Sequence, residues 1–260
     1  SNDHGNCGFF SNLLTIEGSM AGHSHWAGIK HKKAAADNKR GKVWSKLSKA
    51  IIVAAKMGGG DPETNIRLRT AIADARMASM PKDNISRAIK KGTGELAGGD
   101  VHEIIYEGYG PGGVAVICDV LTDNRNRTAP EIRKLFEKHG GKLGSTNCVA
   151  WNFERKGLFL IAQDQIDEEK LMEIALESGA EDVQQAGEQL ELTCDPEIYT
   201  DVGDALENAG IVVESKQVTL LPQNTITLAI AEARQVLGLM EALDDYDDVQ
   251  SVSANFDLTA

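Results

Sequence analysis

GLFLIAQDQIDEEKLMEIALESGAEDVQQAGEQLELTCDPEIYTDVGDALENAGIVVESKQVTL, residues 157–220, holds the pattern that decides the fold. A β-rich run, Leu158–Ala162, precedes a helix-forming stretch, Asp167–Ser178, and two short runs of strand composition, Asp182–Ala186 and Gln189–Cys194. A second helix, Tyr199–Asn208, and a last strand, Val212–Leu220, complete a βαββαβ order, which predicts a ferredoxin-like unit. The unit is strongly acidic, as Asp164–Glu173 shows.

Outward from this unit the pattern is incomplete on both sides. Upstream, Ile104–Glu107 and Val114–Val120 are β-rich runs joined by GYGPGG, a hairpin composition. Thr128 with Glu131 reads as a capping box that starts a helix, whose Ile132, Leu135 and Phe136 face inward and which stops at Gly140-Gly141. Val149, Trp151 and Phe153 then alternate as a strand. Downstream of Pro222 come a strand at Thr225–Ala229, a helix at Ala231–Leu243 and a strand at Val249–Phe256. These late elements need a sheet to join, and the Ile104–Phe153 layer is the nearest, so residues 157–222 are predicted to be inserted into a discontinuous middle domain, 99–156 plus 223–260.

Residues 20–98 read as a basic helical domain. Val43, Leu47, Ile51 and Ala54 recur at helical spacing, with Lys42, Lys46, Lys49 and Lys56 largely off that stripe. Gly58, Gly59 and Gly60 end the helix, and Asp61 as N-cap with Pro62 at the first helical position starts a second, apolar at Ile66, Ile72, Ala73 and Met77. Pro81 opens a third, with Ile85, Ala88 and Ile89 inward, Lys90 and Lys91 at the negative end of its dipole, and Gly92 as the stop. Gly92–Asp100 reads as a linker. The fold class expected is therefore α+β in three domains: an N-terminal three-helix bundle and two α+β domains, the last ferredoxin-like and inserted. Residues 1–19 lack periodicity and a basic leader pattern, and are expected to be an extraneous or disordered extension before Met20.

Charge locates the function. Residues 20–95 hold 16 lysines and arginines against 6 acids, a net +10, and the rest holds 11 against 33, a net −22. Lys30–Lys56 alone sets nine cations against Asp37. Such segregation in a chain of net charge −12 points to a polyanion partner for one region. Helix-borne cations suit phosphates, and the candidate contacts are Lys30, Lys32, Lys33, Lys39, Arg40, Lys42, Lys46 and Lys49. Arg125 and Arg127, before the capped helix, have two readings: a phosphate seat at a helix N-terminus, or pairing with the acidic inserted domain. Trp44 is expected in the helical core, whereas Trp26 keeps two readings, packing in the core or stacking on an unpaired base.

Other chemistries find little support. His23, His25 and His31 match no strong metal motif, so a polar arm is preferred and no metal or cofactor is expected. Gly108, Gly110 and Gly113 are followed by a strand, not the helix a dinucleotide site needs. No GxSxG, HExxH or P-loop occurs, and Cys118 and Cys148 sit in apolar contexts, so no catalytic residue is assigned. Pairs such as Asp244-Asp245 read as solvated surface. The longest apolar runs fall far short of the roughly 20 residues that span a bilayer. Four widely spaced cysteines without a CxxC pair fit reduced thiols and a cytoplasmic setting.

MAGHSHWAGIKHKKAAADNKRGKVWSKLSKAI, GGGDPETNIRLRTAIADARMASMPKDNISRAIKKG and YEGYGPGGVAVICDVLTDNRNRTAPEIRKLFEKHGGKLG together resemble the YebC/PmpR family of probable transcriptional regulators, and the likeness runs from Met20 to the C-terminus. The resemblance implies three domains and a cytoplasmic, non-enzymatic DNA-binding regulator. Through relatives similar to the mitochondrial translational activator of cytochrome c oxidase, it also implies an alternative, a ribosome-associated translation factor on rRNA. A remoter alternative is an enzyme with an unrecognised site. The acidic domains are expected to meet a protein partner.

Overall fold

The computed structural model of the chain describes Trp26 and residues 40–258. The extension 1–19, the histidines His23, His25 and His31, and Lys30, Lys32, Lys33 and Lys39 lie outside the described residues, as does the side chain of Arg40. The fold is α+β, with an N-terminal helical bundle followed by two strand-rich α+β domains.

Helices α1 (Arg40–Gly58), α2 (Ile66–Met77) and α3 (Lys82–Gly92) close over Ile51, Leu68, Ala75 and Ile85. The seam is thin because much of it is alanine. A β-carbon on Gly92 would stand 2.5 Å from the Ile52 carbonyl oxygen, so glycine lets α3 touch the backbone of α1. Two expectations are corrected here. The cap of α2 is Asn65, not Asp61: its Oδ1 accepts from the Leu68 N–H at 3.0 Å, while its amide donates to the carbonyls of Ala54 and Gly59, both at 2.8 Å. Ile66, Ala73 and Met77 are exposed, and Leu68, Ala71, Ile72 and Ala75 form the buried stripe.

The middle sheet has the order β3-β1-β2-β9, from Lys142–Leu143, His102–Tyr109, Ala115–Thr122 and Val249–Ala254. The β1–β2 hairpin turns through Pro111–Gly113. Helices α4 (Arg125–Lys138) and α7 (Ile230–Asp244) cover one face through Ile132, Phe136, Val236 and Leu237, and Trp26 is buried in the same core. Trp26 is therefore packed, not open for stacking, while Trp44 is half-buried and donates its indole N–H to the Ala78 carbonyl at 2.9 Å. The opposite face is closed by Val149, Phe153 and Leu220 over Ala115 and Ile117 and by the bundle core over Leu121, and every residue of β2 is buried. The cap of α4 is Asn124, so Arg125 and Arg127 lie in the first turn and Thr128 is buried inside the helix, not at its cap.

The last sheet, in the order β5-β6-β4-β7, is built from Asp182–Ala186, Gln189–Cys194, Phe153–Ala162 and Val213–Pro222. Every neighbouring pair is antiparallel, and α5 (Glu168–Ser178) and α6 (Tyr199–Asn208) cover one face. This is the ferredoxin-like arrangement. Strand β4 starts at Phe153; residues 150–152 form a 3-10 turn, so Trp151 is not a strand residue. Ile226–Leu228 (β8) joins no large sheet but pairs in parallel with Phe256–Leu258 (β10). β9 supplies the fourth strand of the middle sheet, so the chain leaves that sheet for the ferredoxin-like unit and then returns.

Candidate nucleic-acid interface

Lys42, Lys46 and Lys49 recur at i, i+4 and i+7 and form one stripe along α1. The stripe faces the turn between α7 and β9, which reads Asp244-Asp245-Tyr246-Asp247-Asp248. The Lys42 ammonium donates to the Asp245 carbonyl at 3.1 Å and pairs with the Asp247 carboxylate at 3.4 Å. Lys46 donates to the Asp244 carbonyl at 2.6 Å, with that residue's carboxylate 3.6 Å away. Lys49 reaches the Asp248 carboxylate at 2.5 Å. The bundle is further held by Arg67, whose guanidinium meets Glu103 of β1 at 2.7 and 3.2 Å, and by Lys56 beside Asp100 at 3.5 Å.

Asp248 is the centre of this seam. Its side chain is 3 % exposed. One carboxylate oxygen takes Lys49; the other accepts from Arg127 at 2.9 Å, from the Thr128 hydroxyl at 2.7 Å and from the Thr122 hydroxyl at 3.0 Å. Burial opposes the charge, but the donors Lys49, Arg127 and Thr128 outweigh it and hold the carboxyl down to about 2. The hydrogen bond to Asp248 likewise pushes the Arg127 guanidinium further up. Asp244, Asp245, Asp247 and Asp248 therefore act as counter-ions and acceptors, which corrects the reading of Asp244-Asp245 as solvated surface. Arg127 pairs with Asp123 and Asp248, both in the middle domain, and not with the inserted domain.

Where the three domains meet, a cleft of about 860 Å³ opens between α1, α2, β7 and the α7–β9 turn. Five cationic side chains line it against seven acids, so its net charge disfavours phosphate. Asp74 of α2 lies on this cleft, its carboxyl raised by burial despite the opposing charge of Lys216 across the gap. Arg155 of β4 holds Asp119 of β2 at 3.1 and 3.2 Å and ties the two sheets.

The remaining cations of the bundle are differently placed. Arg69, Arg76, Lys82, Arg87 and Lys90 are exposed, and none is ion-paired among the described residues. Arg69 and Arg76, seven apart, share a side of α2, while Arg69 stands two positions after the paired Arg67, about 200° round the helix. Arg87 and Lys90 are one turn apart on α3.

The family description "TACO1/YebC protein N-terminal domain" matches residues 24–95, and "TACO1/YebC second and third domain" matches 101–256. The chain belongs to the TACO1/YebC family. A probable transcriptional regulatory protein of Rhodopirellula baltica is 58% identical over 237 residues, 91% of this chain and 96% of that protein. Another, from Geobacter sulfurreducens, is 55% identical over 240 residues, 92% and 97% of the two chains. The crystal structure of a conserved hypothetical protein from Aquifex aeolicus, 50% identical, superposes with a TM-score of 0.80 over 91% of this chain and 98% of that one.

For this TACO1/YebC chain, the candidate cations read from sequence thus divide. Lys42, Lys46, Lys49 and Arg127 are gathered on one acidic turn; Arg125 is exposed and without an ion pair among the described residues. Sequence carries one signal that could have pointed to the seam, complementary spacing: three lysines at i, i+4 and i+7, and four aspartates in five residues. Arg69, Arg76, Lys82, Arg87 and Lys90 were passed over because they are dispersed, although each falls off the apolar stripe of its helix. Among the described residues no group of three His, Cys, Asp or Glu is placed to hold a metal, and no helix is long and apolar enough to cross a membrane.

Proposed function

We propose that the chain is a non-enzymatic regulator that binds DNA through its N-terminal domain. Segregated charge carries the reading: the bundle keeps exposed cations without an ion pair among the described residues, while most of the acids lie elsewhere. Lys30, Lys32, Lys33, Lys39 and Arg40 add the densest cationic run of the sequence, joined by Arg69, Arg76, Lys82, Arg87 and Lys90. Arg125 is a further candidate contact. Lys42, Lys46 and Lys49 serve a different purpose, holding the bundle against the middle domain, and Arg127 braces the same acidic turn from within that domain. The relatives' names, probable transcriptional regulatory proteins, favour DNA as the polyanion. The strongly acidic ferredoxin-like unit is left for protein contacts.

A second reading, a translation factor on ribosomal RNA, uses the same cations. An exposed tryptophan, Trp151, favours it, because an indole face stacks readily on unpaired bases. Ultraviolet crosslinking in cells, followed by sequencing of the attached nucleic acid, separates the two. Genomic fragments at promoters support the first reading and ribosomal RNA replaces it with the second. Recovery of neither overturns both.

A further inference from the structure

Trp151 is 70 % exposed in a chain whose aromatic content is only 5 %, and its setting is built with care. Its indole N–H donates to the Cys148 carbonyl at 3.1 Å, and the Tyr109 hydroxyl donates to the same oxygen at 3.2 Å. Both polar handles are therefore occupied within the protein, and the surface that the rings leave exposed is largely apolar. Tyr109, at the end of β1, is itself exposed. The loop between them is fixed from below by Glu107. That carboxylate is buried and accepts the backbone N–H groups of Asn147 at 2.7 Å, Val149 at 2.9 Å and Ala150 at 2.8 Å. The Glu107 carbonyl takes the Gly144 N–H at 2.7 Å. Asn147 stands at φ 64°, the left-handed turn that lets the loop fold back.

A cation stands beside the rings. Lys142 is the cross-strand partner of Tyr109, which puts the two side chains on the same face of the sheet. From His139 to Phe153 the chain contains no acid, and Glu107 is consumed by the three amides. Ser145, Thr146 and Asn147 are exposed and carry hydroxyl and amide groups. A cation for a phosphate, two rings for a base and polar groups for a base edge are the parts of a single-strand site. The fixed loop means that little ordering is lost when it is filled.

We propose that Tyr109, Trp151 and Lys142 form a stacking seat for an unpaired nucleotide of a single-stranded nucleic acid. The proposal deepens the nucleic-acid reading above and rests on it, placing a single-strand contact in the middle domain apart from the phosphate contacts of the bundle. Trp26 is buried and Trp44 half-buried, so Trp151 is the tryptophan whose emission a stacked base would quench most.

The test titrates the full chain with a 16-nucleotide RNA lacking self-complementarity and with a DNA duplex of the same sequence, following tryptophan emission and affinity. The seat predicts quenching by the single strand and not by the duplex. It also predicts a roughly 5- to 100-fold weaker single-strand affinity for Trp151→Ala, largely restored by Trp151→Phe. Unchanged single-strand affinity in Trp151→Ala, while wild type still binds the duplex, overturns the seat and leaves the bundle reading intact. Quenching that survives neutralising Arg69, Arg76, Lys82, Arg87 and Lys90, with duplex binding undiminished, supports the seat and overturns the bundle cations. A wild-type chain that binds neither probe overturns both. A Trp151→Ala variant that loses a co-purifying protein and no RNA makes the surface a protein contact and overturns the seat.

Discussion

Replacing Asp248 with asparagine keeps the side chain's shape and removes the charge shared by Lys49 and Arg127. Two independent estimates of the cost agree. Held at about 2 against an ordinary 3.8, the carboxyl contributes about 2.5 kcal/mol by proton linkage. Breaking one side of a buried ion pair costs about 3–5 kcal/mol, and the low end applies because Arg127 is half-exposed and can find water. For a chain of this size about 2.5 kcal/mol corresponds to roughly 5–10 °C in Tm. Because the folded-state value is depressed, this stabilisation is present in full above the unfolded carboxylate range. It is lost as the pH falls through about 4 towards 2. Thermal unfolding of wild type and Asp248→Asn, followed by circular dichroism from pH 7 down to about 3, should show a wide gap that narrows on acidification. Equal midpoints at pH 7, or a gap indifferent to pH, would refute the assignment of Asp248 as the centre of the seam.

Asn65→Ala removes a helix cap and strands the Ala54 and Gly59 carbonyls, so it should cost about 2–3 kcal/mol in urea unfolding, whereas Asp61→Ala should cost less than about 1. Gly92→Ala drives a β-carbon towards the Ile52 carbonyl and should cost about 1–3 kcal/mol, seen as a lower urea midpoint with an unchanged slope. Burial pushes the Cys118 thiol well up and that of Cys194 to about 11, so neither should react with iodoacetamide at neutral pH in the native chain. Mass spectrometry of native and urea-unfolded samples checks this, labelling of both appearing only after unfolding.

The ferredoxin-like unit was legible because its strands bury one face and its two helices end cleanly: β5, β6 and α6 fall where periodicity puts them. What sequence missed depends on contacts between distant segments. Asn65 wins the cap over Asp61 because it also bonds the end of α1, a partner no local pattern reveals. Thr128 mimics a cap, yet its hydroxyl serves Asp248, 120 residues away. Trp151 looked like an alternating strand residue until Glu107 gathered the loop amides and turned the chain. The lysine stripe was found from charge alone, but whether a cation meets phosphate or a carboxylate of its own chain is decided by tertiary structure, here by the Asp244–Asp248 turn.

The central claim, that exposed cations of α2 and α3 hold nucleic-acid phosphates while the α1 stripe holds the domains together, is tested most directly by the salt dependence of duplex DNA binding. Each phosphate contact adds about 0.9 to the slope of log affinity against log salt. Neutralising Arg69, Arg76, Lys82, Arg87 and Lys90 to glutamine should therefore lower the slope by about 4.5 with the fold intact, while Lys42→Gln with Lys46→Gln and Lys49→Gln should lower Tm and leave the slope unchanged. A slope that survives the first set and collapses with the second would contradict the account.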